Sequence, residues 1–498
     1  MEGKVMGKYW LVCIALFLNV HLLYAQDDFE KYVREQELAF KKYVAKEDSA
    51  YKAYNDSINK AFGRYLAETW PDCPLVKLEP PIVNPVPLTK VTPDKERMTP
   101  FRQPVKDERE KPLKKRPSVI PNWDREHYSL PQIPRVSMGL KMNFFGAECA
   151  LMKLSCTLPR LVNVDEKAVS NYWNALSECP HVEWRSQIIK LREDLQLNDW
   201  GTFLLINEMY STYVPDGSEN EQVVFTVFTL NQFGYAAKIG RVGEDLIPMV
   251  AFDCDVYNTT FFTIPSEGSK RFSVINMKHR DLTSVKCQHM SYPNAEKCFN
   301  VWFESSPRLG ESIVEKNLND GVRDYRVRYN ENHVNFYSTL PCLDFAIYAR
   351  ATMEDVLWGS LQGELEPLVQ SLSEEDAVNL LLRFVQFAFE YKEDGKQFDY
   401  EKWNFAEETV GASFSDCEDR SILFAQLVRG LLNIPVVLVH YPGRHLATAV
   451  HFRDSSVSGD YILVDNEKYL LCDPTYMGAK LGMGMPQLKN VLVKIVKF

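Results

Sequence analysis

"SDCEDRSILFAQLVRGLLNIP" (residues 415–435), "RHLATAVHF" (444–452) and "YLLCDPTYMG" (469–478) decide how the C-terminal part of this chain folds. The first reads as an apolar-faced helix beginning at Cys417 and running into the strand "IPVVLVHY"; the other two read as strands. They supply Cys417, His445 and Asp473, each 28 positions after the last. A thiol, an imidazole and a carboxylate are the parts of an activated cysteine nucleophile: thiolate to attack, ring to take its proton, acid to orient the ring. Spacing alone leaves rivals open, with His440 and His451 as alternative bases and Asp465 as the alternative acid.

A thiol at a helix start gains from the partial positive charge there, and a backbone N–H of the same turn can face an oxyanion. Asp416, Glu418 and Asp419 oppose ionisation of Cys417, so the imidazole has to dominate. His445 opens a strand after the turn "YPGR", and alternation puts Ala447, Ala449 and His451 on its face. These small residues leave room for a substrate or for the cysteine helix. Asp473 ends the strand "KYLLC", its direction pinned by Pro474 and Thr475.

The combination DCEDR, HLATAV and DPTY resembles the transglutaminase-like superfamily, and DCED in particular resembles its bacterial cysteine proteinases. The resemblance covers roughly residues 374–480. It implies a papain-like α+β core, a helix packed on an antiparallel sheet, with Cys417 as nucleophile, His445 as base and Asp473 as orienter. It implies an upstream polar side chain completing the oxyanion hole, for which Gln386 is the candidate. It also implies calcium beside the cysteine through Asp416 and Glu418, although Ser421 stands where a further acid is expected. The other reading of those two carboxylates is as helix caps and dipole partners. By the same resemblance the reaction is hydrolysis of an amide through a thioester, on a protein or peptide, rather than crosslinking.

Upstream, the chain divides into a leader (1–25), a long helix (26–70), a proline-rich linker (71–136), a module at 137–268, a β-rich module (269–350) and the catalytic domain (351–498). In the long helix Phe29, Phe40, Tyr51 and Phe62 recur every 11 residues, as do Tyr32, Tyr43, Tyr54 and Tyr65, which keeps an aromatic stripe on one face. The stripe suits packing on the protein itself, on a second copy, or on an envelope protein. The linker holds about half of the 27 prolines. "GSENEQVVFTVFTLNQFGYAAKIGR" from Gly217 lines up without gaps on the segment from Asp416, 199 residues later. Ser218 falls where Cys417 stands and no histidine matches His445, which reads as a degenerate, catalytically empty copy of the same core. In the β-rich module "KRFSVINM", "KCFNVWFES", "RDYRVRYNENHVNFYSTLP" and "LDFAIYAR" read as strands, with His279, His289 and His333 scattered among them. Farther on, Ser373 with Asp376 caps a helix that Gly395 stops.

The 498 residues carry a net charge of -10 with no long basic tract, which argues against nucleic acid as a partner. Lys4, Lys8, the apolar run Tyr9–Leu23 and the site Leu23-Tyr24-Ala25 read as a secretory signal, hence a periplasmic or otherwise exported chain. No other run is long enough to span a membrane. Ten of the eleven cysteines follow the cleavage site, and none has zinc spacing. The expectation is therefore an exported cysteine peptidase or amidase with no required cofactor beyond optional calcium; the alternative is a catalytically silent envelope scaffold.

Overall fold

The computed structural model describes residues 53–81, 139–264, 270–275, 281–394 and 400–498. The chain forms two units, 1–65 and 66–498. In the first, residues 53–65 are helical; the leader and most of the aromatic repeat lie outside the described residues. The helical state ends at 66 rather than at the expected 70.

The second unit is α+β. Its C-terminal part is a five-stranded antiparallel sheet in the order Tyr461–Val464, Glu467–Cys472, His445–Val450, Val436–Tyr441, Lys494–Val496. The two central strands are buried along their whole length, which is why they read as continuous apolar runs. The helix Cys417–Leu427 packs against His445–Val450, and the Ser421 hydroxyl donates to the Leu446 carbonyl at 2.9 Å. Val439, Tyr441, Ala447, Ala449 and Leu471 pack on the C-terminal segment through Tyr476, Met485 and Leu488. The space beside Ala447 and Ala449, expected to admit a substrate or the cysteine helix, is filled by this core.

Earlier in the chain a seven-stranded antiparallel sheet runs Asp72–Pro74, Ser284–Cys287, Ala237–Val242, Asp245–Ala251, Arg271–Val274, Thr260–Thr263, Val76–Lys77. Leaving aside 72–77, its five strands follow the same order as the C-terminal five: last, first, second, fourth, third in sequence. A helix, Glu219–Gln232, precedes the first strand just as Cys417–Leu427 does. The gapless match needs one correction. Val242 pairs with Asp245 across a two-residue turn, whereas Tyr441 pairs with His445 across Pro442, Gly443 and Arg444. By pairing, Asp245 therefore stands where His445 does.

Residues 72–77, expected as the head of a linker, are instead strands. Asp72–Pro74 pairs with one outer strand and Val76–Lys77 with the other, with only Leu75 between them. One short stretch thus covers both edges of the sheet. It continues to Pro81, whose carbonyl accepts from the Gly443 N–H at 2.7 Å. The remainder of the proline-rich stretch, 82–136, lies outside the described residues.

The expected β-rich module is not a separate body. Arg271–Val274 and Ser284–Cys287 belong to the seven-stranded sheet. Ile313–Asn319 and Asp324–Asn330 form a hairpin of their own, and Glu331–Tyr337 and Phe345–Arg350 are helices. Leu140–Phe144 and Ala147–Leu151 make a second hairpin. Its turn touches Gly310, where a Cβ would lie 2.0 Å from the Gly146 carbonyl carbon. Ser373 caps Glu374–Ala388, which ends seven residues before Gly395. Among the described residues no helix is long and apolar enough to cross a membrane.

Candidate active site

Cys417 is the first residue of its helix, with Asp416 as the flanking cap residue. The two-residue strand Phe414–Ser415, paired in parallel with Glu390–Tyr391, delivers the chain to that point. The thiol is 1% exposed. It donates to Glu418 Oε2 at 2.9 Å, and the Leu446 backbone lies near enough to favour the thiolate. The sulfur therefore rests against the residue next to His445. Burial, then the charges of Glu418 and Asp416, push this thiol well above its ordinary range, and the Leu446 amide only partly offsets them.

His445 Nε2 lies 2.9 Å from Asp473 Oδ2, and both side chains are buried. Asp473 follows directly on Glu467–Cys472, and its Oδ1 accepts from the Thr475 N–H and hydroxyl at 2.9 and 2.7 Å. Burial by itself would raise this carboxyl. The charge and hydrogen bond of His445 and the bonds from Thr475 outweigh it and hold Asp473 below the usual aspartate range. With Nε2 committed to Asp473, Nδ1 is the ring nitrogen left for proton transfer.

The rivals sit elsewhere. His440 faces the Pro81 carbonyl at 3.3 Å, and burial brings it down to about 4. His451 Nδ1 faces the Lys468 carbonyl at 3.0 Å. Asp465 is an exposed turn residue paired with Lys497. His333 is buried against the Pro307 carbonyl, and His279 is outside the described residues.

Gln386 corrects the expectation of an oxyanion donor. Its Nε2 donates to the carbonyls of Asp473, Tyr476 and Ala479 at 3.0–3.1 Å, and its Oε1 accepts from the Gly478 N–H. The amide is consumed in holding the turn that carries Asp473. Arg420, also buried, donates to the carbonyls of Gln386 and Phe389 and to the Ser415 hydroxyl, and its guanidinium lies 5.3 Å from the Tyr391 ring.

Around the cysteine turn lies a concentration of acid. Asp394, Glu401 and Asp416 each bring a carboxylate oxygen within 4.8 Å of the others. Asp394 Oδ1, Asp416 Oδ1 and Glu418 Oε1 are buried with no hydrogen-bond partner. Burial, with the charges of Asp419 and Glu418, pushes Asp394 up to about 9; burial and Glu418 push Glu401 up to about 7. Asp419 is spoken for, since Asn404 donates to it from both backbone and side chain. Of the two expected calcium ligands, Asp416 joins the cluster, whereas Glu418 turns one oxygen to Cys417. Asp394 and Glu401 were missed; the acids between Glu393 and Glu408 were the signal that pointed to them. Hard oxygen donors without partners fit a calcium ion.

No protein-family model, no curated protein and no solved structure matches this chain.

Proposed function

We propose that the chain is an exported, transglutaminase-like cysteine peptidase or amidase working through Cys417, His445 and Asp473. The buried 2.9 Å bond between His445 and Asp473, beside the helix start where the Cys417 thiol meets the Leu446 amide, carries this reading. Cys417 gives its proton to His445 and its sulfur adds to a peptide carbonyl. The C–N bond then breaks as the amine takes that proton, leaving a thioester. Water, deprotonated by His445, displaces the thiol and releases the acid. The helix-start N–H groups are the available oxyanion donors, because Gln386 is engaged. Asp394, Glu401, Asp416 and the free oxygen of Glu418 would hold calcium, which would neutralise the crowded acids beside the nucleophile. In this reading the seven-stranded sheet and its helix are a catalytically empty copy of the same papain-like core, supported by the shared strand order.

A fluorescent iodoacetamide tests it. Cys417 in the full chain should react at a rate that falls about a hundredfold in His445→Ala. Equal, slow labelling in both would sink the enzyme. It would leave the second reading, a silent envelope scaffold, which the burial of Cys417 and the acidic neighbours that oppose its ionisation favour.

A further inference from the structure

A second sulfur pair lies far from Cys417 in sequence. Cys179 ends the helix Glu166–Glu178 as its cap residue, and Cys156 sits in the loop that leads to that helix. The Cys179 sulfur lies 4.0 Å from the carbonyl of Thr157, the residue after Cys156, and the Cys156 thiol adds to burial in pushing the Cys179 thiol up. Both are partly exposed, whereas Cys73, Cys149, Cys287, Cys342 and Cys472 are buried. With Cys179 Sγ against the residue that follows Cys156, a small approach brings the two sulfurs to bonding distance, and a helix cap and a loop can both supply it. All the residues lining the groove formed by Pro159, Arg160, Val162, Asn163, Asn171 and Tyr172 fall between the two cysteines. Arg160, in the middle of the loop, bonds to Asp216 and Glu221 at the start of the helix Glu219–Gln232.

We propose that Cys156 and Cys179 are a redox site: a reversible disulfide that staples the loop 157–165 to the far end of its own helix and fixes the groove between them. Formation requires an oxidant of the disulfide class, either a small molecule or a thiol–disulfide exchange protein. One cysteine thiolate attacks the oxidant's S–S bond to give a mixed disulfide and one free thiol. The second thiolate displaces the other half. The two cysteines lose two protons and two electrons in total, and the oxidant leaves as two thiols. The bridge closes a loop of some two dozen residues and so narrows the unfolded ensemble. It does not depend on the chemistry of Cys417.

The test uses the full chain, reduced and then incubated with oxidised glutathione, blocked with N-ethylmaleimide and digested without reduction. The expected product is a Cys156–Cys179 linked peptide that dithiothreitol abolishes. Oxidation should also slow tryptic nicking at Arg160 by about tenfold and raise the melting midpoint by a few degrees, and neither effect should occur in Cys156→Ser. Maleimide or glutathione on both cysteines after oxidation overturns the pairing. A bridge that changes neither nicking nor melting overturns the stapling role.

Discussion

At the scale of single residues, the site is a matter of which oxygens and nitrogens are already spent. Gln386 illustrates it. A glutamine in an amphipathic helix advertises nothing, and its partners lie some ninety positions away on the turn from Asp473 to Ala479. Its role could not be read locally, and a resemblance pointed it at an oxyanion instead. Replacing it with alanine leaves three buried carbonyls short of a donor, so Gln386→Ala should cost about 3 kcal/mol in a urea titration. A loss below about 1 kcal/mol would contradict the bonding described. Asp473 makes a pH prediction. Its folded-state pKa lies below its unfolded value, so its contribution is present above the ordinary aspartate range and is lost as pH falls through the folded value. The stability gap between wild type and Asp473→Asn should be widest near neutrality and should close below about pH 4. A gap that stays constant from pH 7 to pH 3 would show that the carboxyl is not held by its charge.

Elements were legible where periodicity is strong and local. The Ser373 cap, the helix at Cys417 and the strand at His445 are all where the pattern puts them. "LDFAIYAR" failed for a physical reason. Phe345, Ala346, Ile347, Tyr348 and Ala349 are buried on every side, so the segment has no polar face to betray a helical period. The strand 271–274 was seen, but not the sheet to which it belongs, because pairing with Met249–Ala251 is a long-range choice. Contact between elements also gives a prediction. The hairpin turn at Gly146 has φ +80° and lies so close to Gly310 that any side chain at 310 meets backbone. Gly310→Ala should therefore destabilise by about 3 kcal/mol, read as a lower midpoint in thermal unfolding. Gly359→Ala, in open space on a helix, is the control and should be neutral or mildly stabilising.

For the whole molecule, the match of 217–241 with 416–440 was legible in the sequence, but the strand order that the two sheets share was not. The shared strand order became visible only with the pairing, and the one-residue difference in turn length hid the alignment of Asp245 with His445. The acid cluster joins Asp394 and Glu401 to the cysteine turn, so a cation there should act on global stability. Millimolar calcium should stabilise the fold by about 2.7 kcal/mol at a hundredfold excess over the dissociation constant, read as a higher melting midpoint than in an EGTA control. Asp394→Asn with Asp416→Asn should abolish the rise. Identical melting with calcium and with EGTA in the wild type would mean that protons alone neutralise these acids. The stretch 72–77 has a further consequence. Its backbone is clasped by the outer strands on either side, while Pro81 reaches the turn at Gly443. A protease that cuts between 82 and 136 would sever the chain without parting it: both fragments should elute as one species until denaturant is added.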